Sequence, residues 1–152
     1  MDVQKYAEKS VLCWLATAGS DLTPNVSPKE LFAFIDEELM VIANISSPES
    51  EKNILQNPKV CVSFIEVFEQ RGFKVKGTAE VVYPNDAQWQ TYLTALEMIV
   101  EEPYPISNIF AVRVEALSKI LAPSYTLFPH ISVESKIKKA LENYKVNSDK
   151  QG

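Results

Sequence analysis

Asn44-Ile45-Ser46-Ser47-Pro48-Glu49-Ser50-Glu51-Lys52-Asn53-Ile54-Leu55-Gln56-Asn57-Pro58 lies between two apolar runs, Leu39-Met40-Val41-Ile42-Ala43 and Val60-Cys61-Val62-Ser63-Phe64. Each run reads as a buried strand. The segment between them reads as a helix too short to be stable alone, so it must be held by tertiary packing. Ser46 with Glu49 fits the Ser-x-x-Glu capping pattern, and Ser47 before Pro48 offers a second cap with proline at the first helical position. Asn57-Pro58 ends the helix, because a residue before proline is pushed out of the helical region. A strand thus delivers hydroxyls and a lysine to a helix N-terminus, where unpaired N–H groups and a partial positive charge favour an anion. Ser46, Ser50 and Lys52 are the donors such an anion would meet. The same residues also describe an ordinary capped helix, and spacing alone does not separate the two readings.

Working outward, Val11 to Thr17 is a first strand, its near-continuous apolarity suggesting burial on both faces. Pro24 to Lys29 is extended, and Leu31 to Ile35 continues it, the prolines suiting an edge or an irregular strand. After the short helix, Lys59 to Phe68 and Phe73 to Tyr83 are the fourth and fifth strands, and the interior Gly77 marks a bulge or corner. Trp89, Tyr92, Leu93, Leu96, Ile99 and Val100 form one face of an amphipathic helix, a core face by its spacing. Ile109 to Leu121 is a sixth strand, Ala122 to Tyr125 a loop, and Val133 to Val146 a last helix. Six strands in mostly hairpin order, with few helices, predict a mainly β fold: a closed antiparallel barrel with helical attachments. Residues 1–146 read as one domain and 147–152 as a flexible polar tail.

The 152-residue chain has the composition of a globular domain, 46% hydrophobic and 23% charged. A net charge of -5 argues against a nucleic-acid partner, which needs a basic face. Cys13 and Cys61 sit in apolar runs and read as buried free thiols. No apolar run approaches the ~20 residues of a membrane span and no signal peptide opens the chain, so a cytoplasmic protein with no membrane partner is expected. His130 is the sole histidine, which leaves a histidine triad or histidine metal site without material. There are four glycines and neither Gly-x-Gly-x-x-Gly nor Gly-x-x-x-x-Gly-Lys, which excludes a Rossmann or Walker loop. A chain with so few reactive groups needs a cofactor if it catalyses anything.

Asn25-Val26-Ser27-Pro28-Lys29, then Ile45-Ser46 with Ser50-x-Lys52-Asn53 and Asn57-Pro58, then Arg71-Gly72-Phe73-Lys74-Val75-Lys76-Gly77, resemble in order and spacing the pyridoxamine 5'-phosphate oxidase-related, flavin-binding split-barrel proteins. The likeness runs from about Val11 to Val82, and Phe110 to Val114 fits more loosely. The resemblance implies a six-stranded antiparallel split β-barrel of Greek-key type, assembled as a homodimer with FMN in clefts at the interface. It implies an oxidoreductase acting on a small molecule, or a flavin carrier or sensor without turnover, or the same barrel holding a deazaflavin or haem. By the same resemblance, Asn25, Val26 and Ser27 would lie along the isoalloxazine ring, and Lys29 would reach the flavin or its phosphate. Ile45 and Ser46 would meet the ring edge and ribityl chain, and Ser50 and Lys52 the phosphate. The family often places Arg or Lys at both positions after that serine. Glu51 stands at the first of them, so a phosphate cation is missing, and Arg71 or Lys74 would compensate from the neighbouring strand. Lys29 and Lys74 are candidates to stabilise negative charge on a reduced flavin. The resemblance stops short of the true oxidase: Leu121 to His130, where such enzymes carry substrate-binding arginine and histidine, has no arginine. Tyr125, Phe128 and Trp14 would instead line the flavin with aromatic surface.

Overall fold

A computed structural model describes residues 1–147 of the chain. Seven strands form one antiparallel sheet: β1 (Cys13–Ala18), β2 (Pro24–Lys29), β3 (Phe32–Phe34), β4 (Leu39–Asn44), β5 (Lys59–Glu66), β6 (Arg71–Val82) and β7 (Asn108–Leu121). Five helices accompany them: α1 (Val3–Lys9), α2 (Pro48–Gln56), α3 (Trp89–Glu97), α4 (Ser124–Leu127) and α5 (Val133–Asn143). The spatial order is β2-β1-β5-β6-β7-β4-β3. Hairpins join β1 to β2, β3 to β4 and β5 to β6; β6 and β7 also pair antiparallel but are connected through α3, and β1·β5 and β4·β7 are the crossing pairs. The polar tail expected at 147–152 lies, beyond Asn147, outside the described residues.

The sheet curls around an apolar interior. Leu15, Met40, Ile42, Val62, Phe64, Val75, Phe110 and Val112 are all fully buried in it. The outer face of β4 and β7 is buried too, under α3, through Val41, Ile109, Ala111 and Leu96. Burial on two faces is why Leu39 to Ala43 is apolar without alternation. Gly77 sits at a register shift between β6 and β7, as its place in the strand predicts.

Three expectations need correction. The extended stretch from Pro24 to Ile35 is two strands, which raises the count from six to seven, and they lie on opposite edges of the sheet. The barrel is therefore not closed by a hydrogen-bonded ladder: it is split, and Glu30-Leu31 carry the chain from one edge to the other. Pairing decides this, since Lys29 is opposite Cys13 while Phe32 is opposite Ile42. Second, β1 is buried on one face only, and Trp14 on the other is 45% exposed because no helix covers it. Third, α3 ends at Glu97, leaving Ile99 exposed, and the expected loop Ala122 to Tyr125 runs into a short helix, Ser124–Leu127. The thiols are free as expected, Cys13 buried inside and Cys61 half-buried on the outer face. No helix among the described residues is long and apolar enough to cross a membrane.

Candidate functional site

The turn from β4 into α2 is fixed by a buried amide pair. Asn44 Nδ2 donates to Asn108 Oδ1 at 3.0 Å, and Asn44 Oδ1 accepts from the Ser47 N–H at 2.8 Å. Ser47 is the N-cap and Pro48 the first helical residue, so the second of the two capping readings is the one adopted, and Ser46 is left exposed. The Ser47 hydroxyl does not cap the helix. It accepts instead from Lys29 Nζ. Among the described residues the N–H groups of Glu49 and Ser50 have no acceptor.

Lys29 ends β2 with its side chain turned into the split, only 6% exposed. Its ammonium lies 6.0 Å from the centre of the Phe110 ring, and no carboxylate pairs with it among the described residues. Burial holds its pKa below the ordinary lysine value. Ser50 is 1% exposed, and its Oγ has no hydrogen-bond partner. On the same side of α2, Asn53 Nδ2 donates to Thr17 Oγ1 at 3.0 Å and docks the helix onto β1. A buried ammonium, an orphaned hydroxyl and two free amide N–H groups thus meet at one helix end. A cavity of about 170 Å³ opens beside them, lined among others by Lys29, Glu30, Ile45, Ser46, Ser47 and Tyr104. Glu30 is exposed there, and apart from its carboxylate the Lys29 ammonium and the free amides of the helix end offer donors, which suits an anion.

The other expected residues divide. Asn25 and Ser27 are half-buried and face inward with Lys29, whereas Val26 is 60% exposed on the outer face. Ile45 is half-buried at the cavity, and Lys52 is exposed on the second turn of α2. Arg71 and Lys74 are not brought to this helix end within one protomer. α2 meets the far end of β6, through Tyr83 Oη donating to Glu51 Oε1 at 2.8 Å. Arg71 starts that strand, about 35 Å away at the usual rise per residue. Its guanidinium stacks 4.5 Å from the centre of the Tyr125 ring, near Glu69. Lys74 is exposed, between Ser63 and Ser118 on the neighbouring strands. Tyr125, expected in an aromatic lining, is flanked by Arg71 and Lys136. Asn44, Asn108 and Tyr104 were not singled out from the sequence. An asparagine ending an apolar strand just before Ser-Ser-Pro is a turn signal that would have marked the first; the other two come from distant chain and left none.

Solved structures share this architecture. HupZ of Group A Streptococcus superposes with a TM-score of 0.65 at 19% identity, covering 80% of this chain and 99% of that one. An FMN-binding protein of Syntrophomonas wolfei subsp. wolfei gives 0.67 at 10% identity, over 79% of this chain and 84% of that one. An F420 reductase gives 0.59 at 26% identity, over 78% and 97%. The first two show a common fold alone. No curated protein sequence matches the chain. The family model for pyridoxamine 5'-phosphate oxidase matches residues 2–119, a span that takes in α1, the whole site around Lys29 and all seven strands but the last two residues of β7. The chain belongs to the pyridoxamine 5'-phosphate oxidase family.

Proposed function

We propose that the chain is an FMN-binding oxidoreductase and that the flavin's phosphate end is held at the N-terminus of α2. The observation that carries this reading is the pairing of an uncompensated buried ammonium, Lys29, with the orphaned hydroxyl of Ser50 beside a helix end whose amides are free. Each is costly to bury unless an anion completes it. FMN would supply two-electron redox chemistry that the side chains lack. The protein's part is to bind and orient: Ser50 and the amides of α2 donate to the phosphate, Lys52 adds charge from the exposed side, and Asn25, Ser27 and Ile45 border the remaining length of the ligand. Lys29, shielded from water, places a positive charge where the ring system or ribityl chain enters the split.

The unit is proposed to be a homodimer. The outer face of β1 and β2 is uncovered and apolar, with Trp14 and Val26 both exposed, and it adjoins the split. A second copy packed there would enclose the flavin and give an interface of the obligate kind. Lys74, exposed and unpaired among the described residues, would then be the cation able to act at the neighbour's cleft, while Arg71 could do so only by leaving Tyr125 and Glu69.

A deazaflavin is the second reading, favoured by the likeness to the F420 reductase and by Glu51, a carboxylate where a second phosphate cation would strengthen a dianion site. The absorption spectrum and mass of whatever copurifies separates the two. For FMN, affinity should exceed that for riboflavin, and Lys52→Ala should weaken FMN binding by roughly 1.5–3 kcal/mol, the worth of a charge-assisted hydrogen bond. Equal affinity for FMN and riboflavin would remove the phosphate assignment.

A further inference from the structure

A larger cavity, about 450 Å³, lies between α1, β3 and α3 and shares only Glu30 with the cavity at the α2 N-terminus. Its size is in the range that holds small molecules, roughly 300–1,000 Å³. We propose that it is a second ligand site, for a small planar cation that carries an amide or amino group. The inference does not rest on the flavin reading.

The first support is an unused hydrogen-bonding edge. The Ile35 N–H donates to the Leu39 carbonyl and the Ala43 N–H to the Leu31 carbonyl, both at 2.9 Å. These two bonds set the phase of the β3–β4 ladder: residues 31, 33 and 35 bond to β4, so the N–H and C=O groups of Phe32 and Phe34 point the other way. β3 has no second neighbour in the sheet. Those groups have no partner among the described residues, and Phe32 and Phe34 line the cavity. Phe32 is only 5% exposed, so water reaches its main chain poorly. Donor and acceptor at alternate residues match a ligand amide, and buried main-chain groups of this kind are seldom left unpaired.

Charge is the second support. Glu8 of α1 and Glu30, at the β2–β3 corner, line the cavity, and neither pairs with a lysine or arginine among the described residues. Two carboxylates at the cavity favour a cation and oppose an anion.

The third support is the lip. Ile99, which continues the apolar stripe of α3 just past the helix end, is 47% exposed, and its neighbour Met98 is 83% exposed. The stripe outlasts the core it covers, and its end borders the cavity. A methionine there gives a wall that can adjust to a ring.

Titration of the full-length, isotope-labelled protein by 1-methylnicotinamide, nicotinamide and nicotinate tests this, because the three share a ring and differ in charge. The amides of Phe32 and Phe34 should shift saturably, with the cation bound about tenfold more tightly than the anion, since exposed carboxylates attract the one and repel the other, each with the modest strength of a surface pair. Glu8→Gln with Glu30→Gln should bring the cation to the affinity of the neutral amide. Ala95→Trp, which fills the cavity from α3, should abolish binding. No binding by any of the three, equal affinities, shifts confined to other residues, or unchanged binding in a folded Ala95→Trp variant would each overturn the proposal. So would dissociation of a dimer by Ala95→Trp, which would give the cavity to a second copy. Should Ala95→Trp fail to fold, the wild-type shift map and the glutamine variants decide alone.

Discussion

Lys29 donates from its ammonium to the hydroxyl of Ser47, and this one contact, across eighteen positions of sequence, joins an edge strand to the cap of α2. It leaves two costs in the ligand-free chain: a buried charge without a counter-charge, and a helix whose cap residue does not cap. Lys29→Met removes the first and frees Ser47 to mend the second. We expect the ligand-free variant to be more stable than the parent by about 1 kcal/mol, the typical worth of a cap, and to bind FMN less tightly. The pH dependence carries a sign. The pKa of Lys29 is depressed in the folded chain, so between that value and the ordinary 10.5 the unfolded chain binds the extra proton. Stability of the parent should therefore rise as pH climbs through that window, and the methionine variant should lack the rise. Denaturant titrations at several alkaline pH values measure both; identical slopes would contradict the assignment.

Ser50 allows a cleaner separation of binding from folding. Its hydroxyl is buried without a partner, so Ser50→Ala deletes an unmet polar group and should leave the ligand-free stability equal or higher. FMN binding should weaken by about 1 kcal/mol, the net worth of a hydrogen bond, while riboflavin binding stays unchanged. Flavin fluorescence quenching with both ligands reads the difference.

These residues also show how far the sequence could be read. Leu39 to Ala43 and Val60 to Phe64 announce strands because apolarity without interruption has few other uses, and Pro48 and Asn57-Pro58 set the limits of α2 through local backbone physics. The split of 24–35 into two strands left no local mark. Glu30 is an ordinary residue, and the corner exists because Phe32 and Phe34 find Ile42 and Met40 as partners while Lys29 finds Cys13. The exposure of Trp14 is hidden from the sequence for a related reason: an apolar run records that both faces avoid water, not whether a helix or another molecule covers them. At the site, Lys29 was identifiable as a residue but its burial was not, and Ser46 and Ser47 were equal candidates until Asn44 took up the Ser47 N–H. Arg71 and Lys74 stand in register with the other motifs in sequence, yet a twelve-residue strand carries Arg71 to the opposite end of the sheet.

Two glycines should be far less replaceable than a third. A Cβ on Gly77 would fall on the Arg113 carbonyl oxygen, and one on Gly72 on the Phe64 carbonyl oxygen, both main-chain atoms in sheet pairs. A Cβ on Gly19 would come within 2.7 Å of Gln56 Oε1 and 2.8 Å of Asn53 Oδ1, the ends of side chains whose hydrogen bonds with Ser20 and Thr17 would have to give, but which can shift where main chain cannot. Alanine at 72 or 77 should cost about 2–4 kcal/mol, the range of strained or overpacked sites, and alanine at 19 clearly less. Denaturant midpoints give the ranking, and an equal cost at all three would refute it.

Glu69 is the acid-sensitive joint of the α1 corner. It accepts from Tyr6 Oη at 2.6 Å and from Lys9 Nζ at 3.0 Å. The bond from Tyr6, then that from Lys9, holds its carboxyl below the ordinary glutamate value, and Tyr6 is pushed up to about 12, first by burial and then by that bond. A carboxyl depressed in the folded state stabilises above its unfolded pKa, and the gain disappears as pH falls through the folded value. Glu69→Gln should thus lower stability at neutral pH and flatten its decline in acid. A parent and variant with parallel acid limbs would show that Glu69 contributes nothing of this kind.

Membership of the family does not make this chain a pyridoxamine 5'-phosphate oxidase in activity. That reaction needs a second phosphate held beside the flavin, and so further cations and hydroxyls converging on one cleft. Leu121 to His130 contains no arginine, and the last arginine in the chain is Arg113. The cations nearest that segment are already committed. Lys136 donates to the Phe128 and Ile131 carbonyls at 3.2 and 2.6 Å, and Arg71 is stacked on Tyr125 with Glu69 3.6 Å from its Nε. Phe128 is half exposed and offers only apolar surface. Freeing either cation would break the contacts that set the α4–α5 connection. The FMN-loaded protein should therefore turn over pyridoxamine 5'-phosphate with oxygen poorly, and should prefer planar, weakly charged acceptors such as quinones or nitroaromatics with a nicotinamide donor. Steady-state assays of the two substrate classes side by side make the comparison. A kcat/KM for the vitamin phosphate of ~10⁴ M⁻¹s⁻¹ or above, the ordinary enzymatic range, would mean that Arg71 or Lys136 leaves its present partners to take the substrate phosphate, and the charge ledger of the C-terminal segment would have to be redrawn around that movement.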